Sequence, residues 1–550
     1  MLMDNIKVSV NGMEFDVTKG TTYLEISKMF NNKSKRKPIL VKVNGRYKEL
    51  NNLAKNNDDI LFCDLTDRIA NRVYLNGLIL LVNYAFNEVF KGSNTIVVKH
   101  SADKALCIET KKKITETELK EVEKKMYSIV DANLPITKTT VLKSEALEYF
   151  QKTGDLTKKR LLEYTTSTYV HLYKMGNMYN YILSKMPSET SCLNEFSLTY
   201  LSDNEFVLQY PTTYINDKIK EYHHHEKLFE VFKKEKEWGK LMKIEICADL
   251  NDVVSNGKIN DLIRMSETLQ NNRLLDQVKN IVKHGEQIKI ILISGPSSSG
   301  KTTTCNKLAM YLRSMGKTPK MISMDDFFKE RVDTPKKPNG EYDFECLEAV
   351  DLKLFNKTMT ALLNGEKVKM PTFDFLSGEK KFKHEMILEK TDILLIEGIH
   401  ALNPKLLTDV DNSNKFKIYL SPLTAVNLDR DNRMSTTDNR LLRRMVRDNR
   451  TRGYNVSNTL DLWDDVREGE EIYVFPYQDE ADVVINTSLI YEFCVLKTYV
   501  LPLLYSVKSD DPNYDEALRL MKVLNMFLPI PSEAIPDDSI LREFIGGSCF

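Results

Sequence analysis

The stretch that most constrains this chain is GPSSSGKTTT, from Gly295 to Thr304. It satisfies G-x-x-x-x-G-K-[ST], with Gly295, Gly300, Lys301 and Thr302 at the defining positions and Pro296, Ser297, Ser298, Ser299 and Thr303 filling out the loop. The flanks carry matching periodicities. KIILIS before the loop is a short apolar run that predicts a buried strand. TTTCNKLAMYLRSMG after it puts Leu308, Leu312 and Met315 on one helix face, with Gly316 as the stop. A strand, a glycine-rich loop and a helix in that order present backbone N–H groups and a helix N-terminus to phosphate oxygens. In such a loop the lysine reaches the β- and γ-phosphates and the Thr302 hydroxyl holds Mg²⁺. The motif therefore predicts a nucleoside-triphosphate site.

The chain has 550 residues, which at roughly 150 per domain predicts three or four domains. Apolar residues make up 42% of it, enough for real cores, which excludes a disordered protein. Lys plus Arg and Asp plus Glu both number 78, so overall charge gives no argument for a polyanionic partner. The 8 cysteines include no C-x-x-C pair, which argues against a disulfide framework or zinc ribbon and for a reducing compartment. The N-terminal MLMDNIKVSVNG alternates like a strand and has no signal-peptide apolar region. The most apolar stretch, Tyr74 to Phe86, is shorter than the ~20 residues of a membrane span. The expectation is a cytoplasmic protein without membrane association.

Two Asn-Gly pairs organise the N-terminal end. IKVSVNGMEFDV reads as a hairpin about Asn11-Gly12, TYLEISKMF as a helix, and ILVKVNG as a strand ending in the second pair. Between them the basic loop Lys33, Lys35, Arg36, Lys37 reads as a solvated segment. With the closing DDILFCDL strand, residues 1–66 resemble the TGS domain of threonyl-tRNA synthetases, which implies a small β-grasp fold. Residues 67–225, through VYLNGLILLVNYAFNEVF, VVKHSADKALCIET and ITETELKEVEKKMYSIVDANLPI, resemble the second additional, editing-type α+β domain of those enzymes. That domain carries an H-x-x-x-H pair in its first helix, a spacing suited to two metal ligands on one face. The corresponding helix here, Asn71 to Asn87, has no histidine, so editing chemistry is not expected. His223, His224 and His225 read as part of a solvated linker, because adjacent helical residues point about 100° apart and do not converge on one ion. Residues 226–285 read as a helical linker leading into the loop strand.

Downstream of the loop, KMISMDDFFK reads as a strand ending in Asp325 and Asp326, beside the loop strand; DILLIEGIHALN reads as another, ending in Glu397. Carboxylates at strand C-termini lie where open α/β sheets bind ligands. In TTDNRLLRRMVRDNRTRGYN, Arg440, Arg443, Arg444 and Arg447 fall at i, i+3, i+4 and i+7, on one helix face. An arginine lid over a transferring γ-phosphoryl is the expected use of such a face; a solvated face paired with Asp438 and Asp448 is the alternative.

Together GPSSSGKTT, SMDDFF and TDNRLLRRMVRD resemble the uridine kinase family, with phosphoribulokinases and pantothenate kinases as more distant relatives. The resemblance covers about residues 288–490. It implies ATP and Mg²⁺ as cofactors, Asp325 as the carboxylate accepting the acceptor proton beside Mg²⁺, and Thr302 and Glu397 as the other metal-organising positions. It also implies Asp343 as a ribose ligand, with Phe373 and Asp374 forming the nucleoside pocket. Where the family carries a base-reading histidine, this chain has Gly378, so the preferred base is not readable.

The expected architecture is multi-domain α/β: residues 286–500 a P-loop domain with a doubly wound parallel sheet, and 501–550 a C-terminal helical extension. The expected activity is transfer from Mg-ATP to a small-molecule hydroxyl, foremost a nucleoside 5′-hydroxyl. Two alternatives stand beside it: a kinase of another small metabolite, and an ATP-driven RNA- or tRNA-associated binding protein using the N-terminal modules. A homo-oligomer is compatible with each. All the phosphoryl-transfer machinery lies downstream of Gly295, so a 226–550 fragment is expected to fold and work alone.

Overall fold

The two Asn-Gly pairs make the turns their chemistry dictates. In the computed structural model, which describes residues 5–30, 36–213, 218–285, 287–337, 340–374, 377–424 and 426–550, Asn11 and Gly12 have φ of 50° and 80°, and Asn44 and Gly45 have 49° and 81°. Two consecutive left-handed residues match the twist of a two-residue hairpin. Strands Asn5–Val10 and Met13–Thr18 pair across the first turn, and Leu40–Val43 and Arg46–Glu49 across the second. Asp58–Cys63 runs parallel to the first strand and antiparallel to Leu40–Val43, completing a five-stranded sheet. Val8, Val10, Val41, Val43 and Ile60 bury one face against Tyr23 and Ile26 of helix Tyr23–Phe30. Of the basic loop, Lys33 and Lys35 lie outside the described residues; Arg36 pairs with Glu195 at 3.1 Å.

Asp67 caps the next helix, Arg68–Phe90, by accepting the N–H groups of Ile69 and Ala70. At 23 residues it is long and apolar enough to cross a membrane by length and composition, more than its central apolar run suggested. Its Leu78, Leu80, Leu81, Val82 and Phe86 are buried among helix Glu116–Asp131 and a four-stranded antiparallel sheet (96–102, 105–110, 197–202, 205–209). A second antiparallel sheet joins 136–142, 169–175 and 178–180. Seven of the eight cysteines are buried and all are free.

The C-terminal sheet is wholly parallel, in the order 318–323, 392–397, 290–294, 415–421, 483–486. Its side chains alternate between two covered faces, the pattern of a parallel sheet with helices on both sides. Ile291, Ile293, Leu395 and Ile418 meet Leu308 and Leu312 of helix Lys301–Ser314 together with Leu274, Val278 and Ile281. Ile290, Leu292, Leu394 and Ile396 meet Phe355, Met359 and Leu362 of helix Leu352–Leu363. The strand order corrects one expectation. Thr318–Ser323 is not beside the loop strand, because Asp392–Glu397 lies between them. The strand also ends at Ser323, and Asp325 and Asp326 stand on the 3₁₀ turn Met324–Phe327.

The segment read as a linker is three helices, Glu226–Met242, Cys247–Ser255 and Ile259–Lys283, and both ends are buried in the body. Leu228 joins the core on one face of the parallel sheet and Leu274 the core on the other. The C-terminal helices Glu492–Leu504, Tyr514–Leu524 and Arg542–Ile545 fold back onto the same body. One core takes Phe150, Leu161 and Val170 from the N-terminal half, Leu441 and Trp463 from the P-loop region, and Phe527 and Phe544 from the C-terminus.

Candidate active site

The phosphate loop is held open by glycine geometry. A Cβ at Gly295 would stand 2.4 Å from the Leu420 carbonyl oxygen, so no side chain fits there. Ser298 and Gly300 both adopt left-handed backbone, with φ of 61° and 84°. These turns aim the amides of the loop inward. Among the described residues, the N–H groups of Ser298, Gly300, Lys301 and Thr302 have no protein acceptor. The Ser298 and Ser299 hydroxyls are buried without partners. Buried donors of this kind are costly unless an acceptor arrives, and converging donors at a helix N-terminus suit a phosphate chain. Lys301 curls across the loop, its Nζ donating to the carbonyls of Gly295 and Pro296 at 3.0 and 3.2 Å. Thr302 is exposed. Thr303 is engaged instead: its N–H and hydroxyl are both accepted by Glu543 of the last helix, at 3.2 and 2.8 Å.

Across the cleft stand carboxylates that repel one another. The Asp325 residue is exposed to solvent, yet the protein packed around it raises its pKa by desolvation, with Lys301 acting the other way. Burial pushes Glu397 up to about 7, against the pull of Lys301, while Ser323 Oγ donates to its Oε1 at 3.1 Å. Asp325 and Glu397 lie within electrostatic reach of one another and of Lys301. Hard oxygen ligands beside an exposed threonine hydroxyl are a donor set suited to Mg²⁺.

Asp343, expected as a ribose ligand, is engaged in its own turn, and Glu345 stands beside the loop lysine instead. Asp343 Oδ1 accepts the N–H groups of Glu345 and Cys346 at 3.1 and 3.2 Å, fixing the turn. Glu345 enters the cleft: burial pushes its pKa up to about 7, and Glu470, Arg444, Asp325 and Lys301 are its charged neighbours. Gly469 makes the room, since a Cβ there would come 2.5 Å from that of Glu345. The one sequence signal for Glu345 is its place two residues after Asp343 in EYDFEC. His400 also went unremarked. It is buried near Lys301, its ring 5.9 Å from Tyr473, and burial lowers its pKa to about 4.

Phe373 is buried against Phe328, with ring centroids 5.8 Å apart, and its N–H is held by Asp326 at 3.3 Å. Asp326 is thus an anchor for the strand Val368–Asp374. Asp374 Oδ1 accepts the Ser377 N–H at 3.3 Å in the following turn. Gly378 has φ of 73°, and a Cβ there would stand 2.8 Å from Cβ of Arg331. The backbone itself requires glycine at the position where a base-reading side chain was looked for.

The arginine helix, Thr436–Arg452, differs most from expectation. Arg440 and Arg443 are about 1% and 0% exposed and do not face the cleft as a lid. Arg440 pairs with Glu470, and its Nη1 lies 3.3 Å from the Ser297 carbonyl. Arg443 pairs with Glu492 and donates to the carbonyls of Ser298 and Thr487 at 3.4 and 2.8 Å. Glu470 also accepts the Ser297 N–H at 2.9 Å. These pairs brace the loop from behind. Arg444 donates to Ser297 Oγ at 2.9 Å and pairs with Asp448, as does Arg447. Of the four, Arg447 contributes to the charge around Asp325 and Arg444 to that around Glu345; Arg452 adds to Asp325 from the helix end. The mutual repulsion of the arginines is relieved by carboxylates of this chain, and Asp438 pairs with Arg519 instead.

Residues 290–489 match the family model described as Phosphoribulokinase / Uridine kinase family. A uridine kinase of Staphylococcus epidermidis is 29% identical over 200 residues, 36% of this chain and 87% of its own length. One of Halobacterium salinarum is 25% identical over 194 residues, 35% of this chain and 77% of its own length. A solved structure described as "Structure of a Possible Uridine Kinase from Bacillus stearothermophilus" is 21% identical, with a TM-score of 0.28 over 39% of this chain and 100% of that one. The C-terminal region is therefore a P-loop kinase of the phosphoribulokinase/uridine kinase family, and residues 1–289 lie outside the matched range.

Proposed function

We propose that the protein transfers the γ-phosphoryl of ATP to a hydroxyl of a small molecule, foremost the 5′-hydroxyl of a nucleoside. One observation carries the reading: four loop amides without a protein acceptor among the described residues adjoin Lys301, whose charge reaches Asp325, Glu345 and Glu397. The amides of Ser298, Gly300, Lys301 and Thr302 bind the phosphate chain. Thr302, Asp325 and Glu397 would hold Mg²⁺, which when bound neutralises charge on the phosphates. Lys301 leaves its carbonyl partners for the β- and γ-phosphates. Asp325 accepts the acceptor proton, its raised pKa bringing it closer to a working base at neutral pH. Glu345 orients the acceptor by its hydroxyls. Arg444 and Arg447 stand on the cleft side to meet developing charge, and Arg440 and Arg443 hold the loop in shape.

The nucleoside assignment draws on the uridine kinase relatives. The glycine forced at 378 favours one second reading, a small hydroxylated metabolite without a base to be read. The test is ADP formation by full-length protein with Mg-ATP across nucleosides and small polyols, with Asp325→Asn as control. Stimulation by an acceptor of about tenfold or more, with the acceptor-dependent rate lowered by about 10²–10⁴-fold in the control so that no stimulation remains, is the expected result. ATP turnover indifferent to every acceptor, or undiminished in Asp325→Asn, would overturn it.

A further inference from the structure

The histidine run was set aside because adjacent residues on a helix diverge. The helix opens only at Glu226, however, and residues 223–225 are irregular chain. In extended backbone, residues i and i+2 share a side. His223 and His225 face the same way, ring centroids 4.9 Å apart, while His224 turns to Phe229 at 4.2 Å.

A carboxylate meets the pair. Asp479, on the 3₁₀ helix Phe475–Glu480, places Oδ2 2.8 Å from His225 Nδ1 and 3.4 Å from His223 Nε2. One ligand atom from each of the three residues lies within 4.8 Å of the others. Around a tetrahedral zinc, with ligand distances of about 2.0–2.1 Å, such atoms stand about 3.4 Å apart. The His223 contact already has that spacing, the His225 hydrogen bond would lengthen to reach it, and His223, with a side chain 65% exposed, is able to close the remaining gap.

The surroundings are those of a held imidazole ligand. The His225 side chain is 9% exposed, and its second nitrogen, Nε2, faces Asp103 Oδ1 at 3.9 Å. Asp103 Oδ2 accepts the His223 N–H at 2.7 Å, and Lys220 pairs with Oδ1 at 3.0 Å. A carboxylate behind the non-ligating nitrogen fixes the ring and its tautomer. Gln478 approaches the His225 ring at 3.2 Å. The cluster lines a cavity of about 640 Å³ whose walls come from both the N-terminal half and the P-loop region.

We propose that His223, His225 and Asp479 bind a divalent transition-metal ion of the zinc type, with Asp103 as a positioning residue. Two imidazoles and one carboxylate favour Zn²⁺ or Co²⁺ over Mg²⁺, which prefers all-oxygen shells. The site is built from different stretches of the chain. Asp103 belongs to the turn joining strands Ile96–Ala102 and Ala105–Thr110, the histidines to the segment before helix Glu226–Met242, and Asp479 to the P-loop region. A bound ion therefore ties the N-terminal half to the kinase region.

The test uses tag-free full-length protein, titrated with Zn²⁺ or Co²⁺ alone. We expect a single tight equivalent, visible bands of tetrahedral Co²⁺, and a metal-dependent rise in the unfolding midpoint that chelation reverses. His223→Ala replaces an exposed side chain and spares the fold; it and Asp479→Asn should each weaken binding by about tenfold or more. His224→Ala should leave binding unchanged. Absence of a stoichiometric Co²⁺ complex, unchanged binding in His223→Ala, or equal loss in His224→Ala would overturn the site.

Discussion

Among the described residues Lys301 forms no salt bridge; its Nζ rests on two carbonyls of its own loop. Its removal therefore opens no core cavity, and the carboxylates it faces answer the lost charge by holding their protons more tightly. Lys301→Ala should keep the wild-type unfolding midpoint while phosphoryl transfer falls by at least about 10²-fold. A variant turning over at the wild-type rate would place the reaction elsewhere. The acids opposite give a pH signature. Glu397 has a folded-state pKa of about 7, above the ordinary carboxylate value. The folded protein free of ligand thus holds a proton that the unfolded chain has already released between about pH 5 and about pH 7. The associated stability is complete at low pH and is lost as pH rises toward 7. Glu397→Gln cannot titrate, so its advantage over wild type should grow across that window in pH-dependent melting curves. A constant difference would show that Glu397 is ionised throughout. Lys301, Thr302, Asp325 and Glu397 stand out in the sequence because each belongs to a short local motif. Glu345 was missed because only the turn set by Asp343, and the space left by Gly469, decide which of two nearby acids points inward.

The arginine helix separates what a periodicity states from what it leaves open. The spacing of Arg440, Arg443, Arg444 and Arg447 predicted a shared face, but not what that face meets. Glu470 and Glu492 come from later helices, and no local pattern announces a pairing across 30 or 49 residues. The same holds for strand order. Each strand of the parallel sheet was recognisable from its apolar run, whereas the insertion of Asp392–Glu397 between the other two is a property of the whole sheet. Arg443 and Glu492 are both fully buried, so removing one partner strands the other's charge. Arg443→Ala should cost about 3–5 kcal/mol of stability in urea unfolding. Arg443→Leu combined with Glu492→Leu should recover much of that loss. A single variant as stable as wild type, impaired only in turnover, would restore the lid reading.

The two halves of the molecule are joined by more than adjacency. Lys158, with a side chain 1% exposed, is ringed by Asp155, Asp429 and Asp431. Asp431 also takes the side-chain amides of Asn83 and Asn180 at 2.9 and 3.0 Å. Arg46 and Lys185 converge on Asp515, and Arg72 on Glu516. With Phe150, Leu161 and Val170 in the same core as Leu428, Leu441 and Phe527, the N-terminal half covers apolar surface of the rest. The fragment 226–550 should accordingly be aggregation-prone or unfold well below the full chain, contrary to the expectation from motif positions alone. A soluble fragment with the full-length midpoint would show the interface to be dispensable. Phosphorus-31 spectroscopy of full-length protein with Mg-ATP and the best nucleoside reads the proposed transfer to an organic hydroxyl. ADP and a 5′-phosphomonoester should appear in equal amounts; ADP with inorganic phosphate alone, whatever the acceptor, would rule the transfer out.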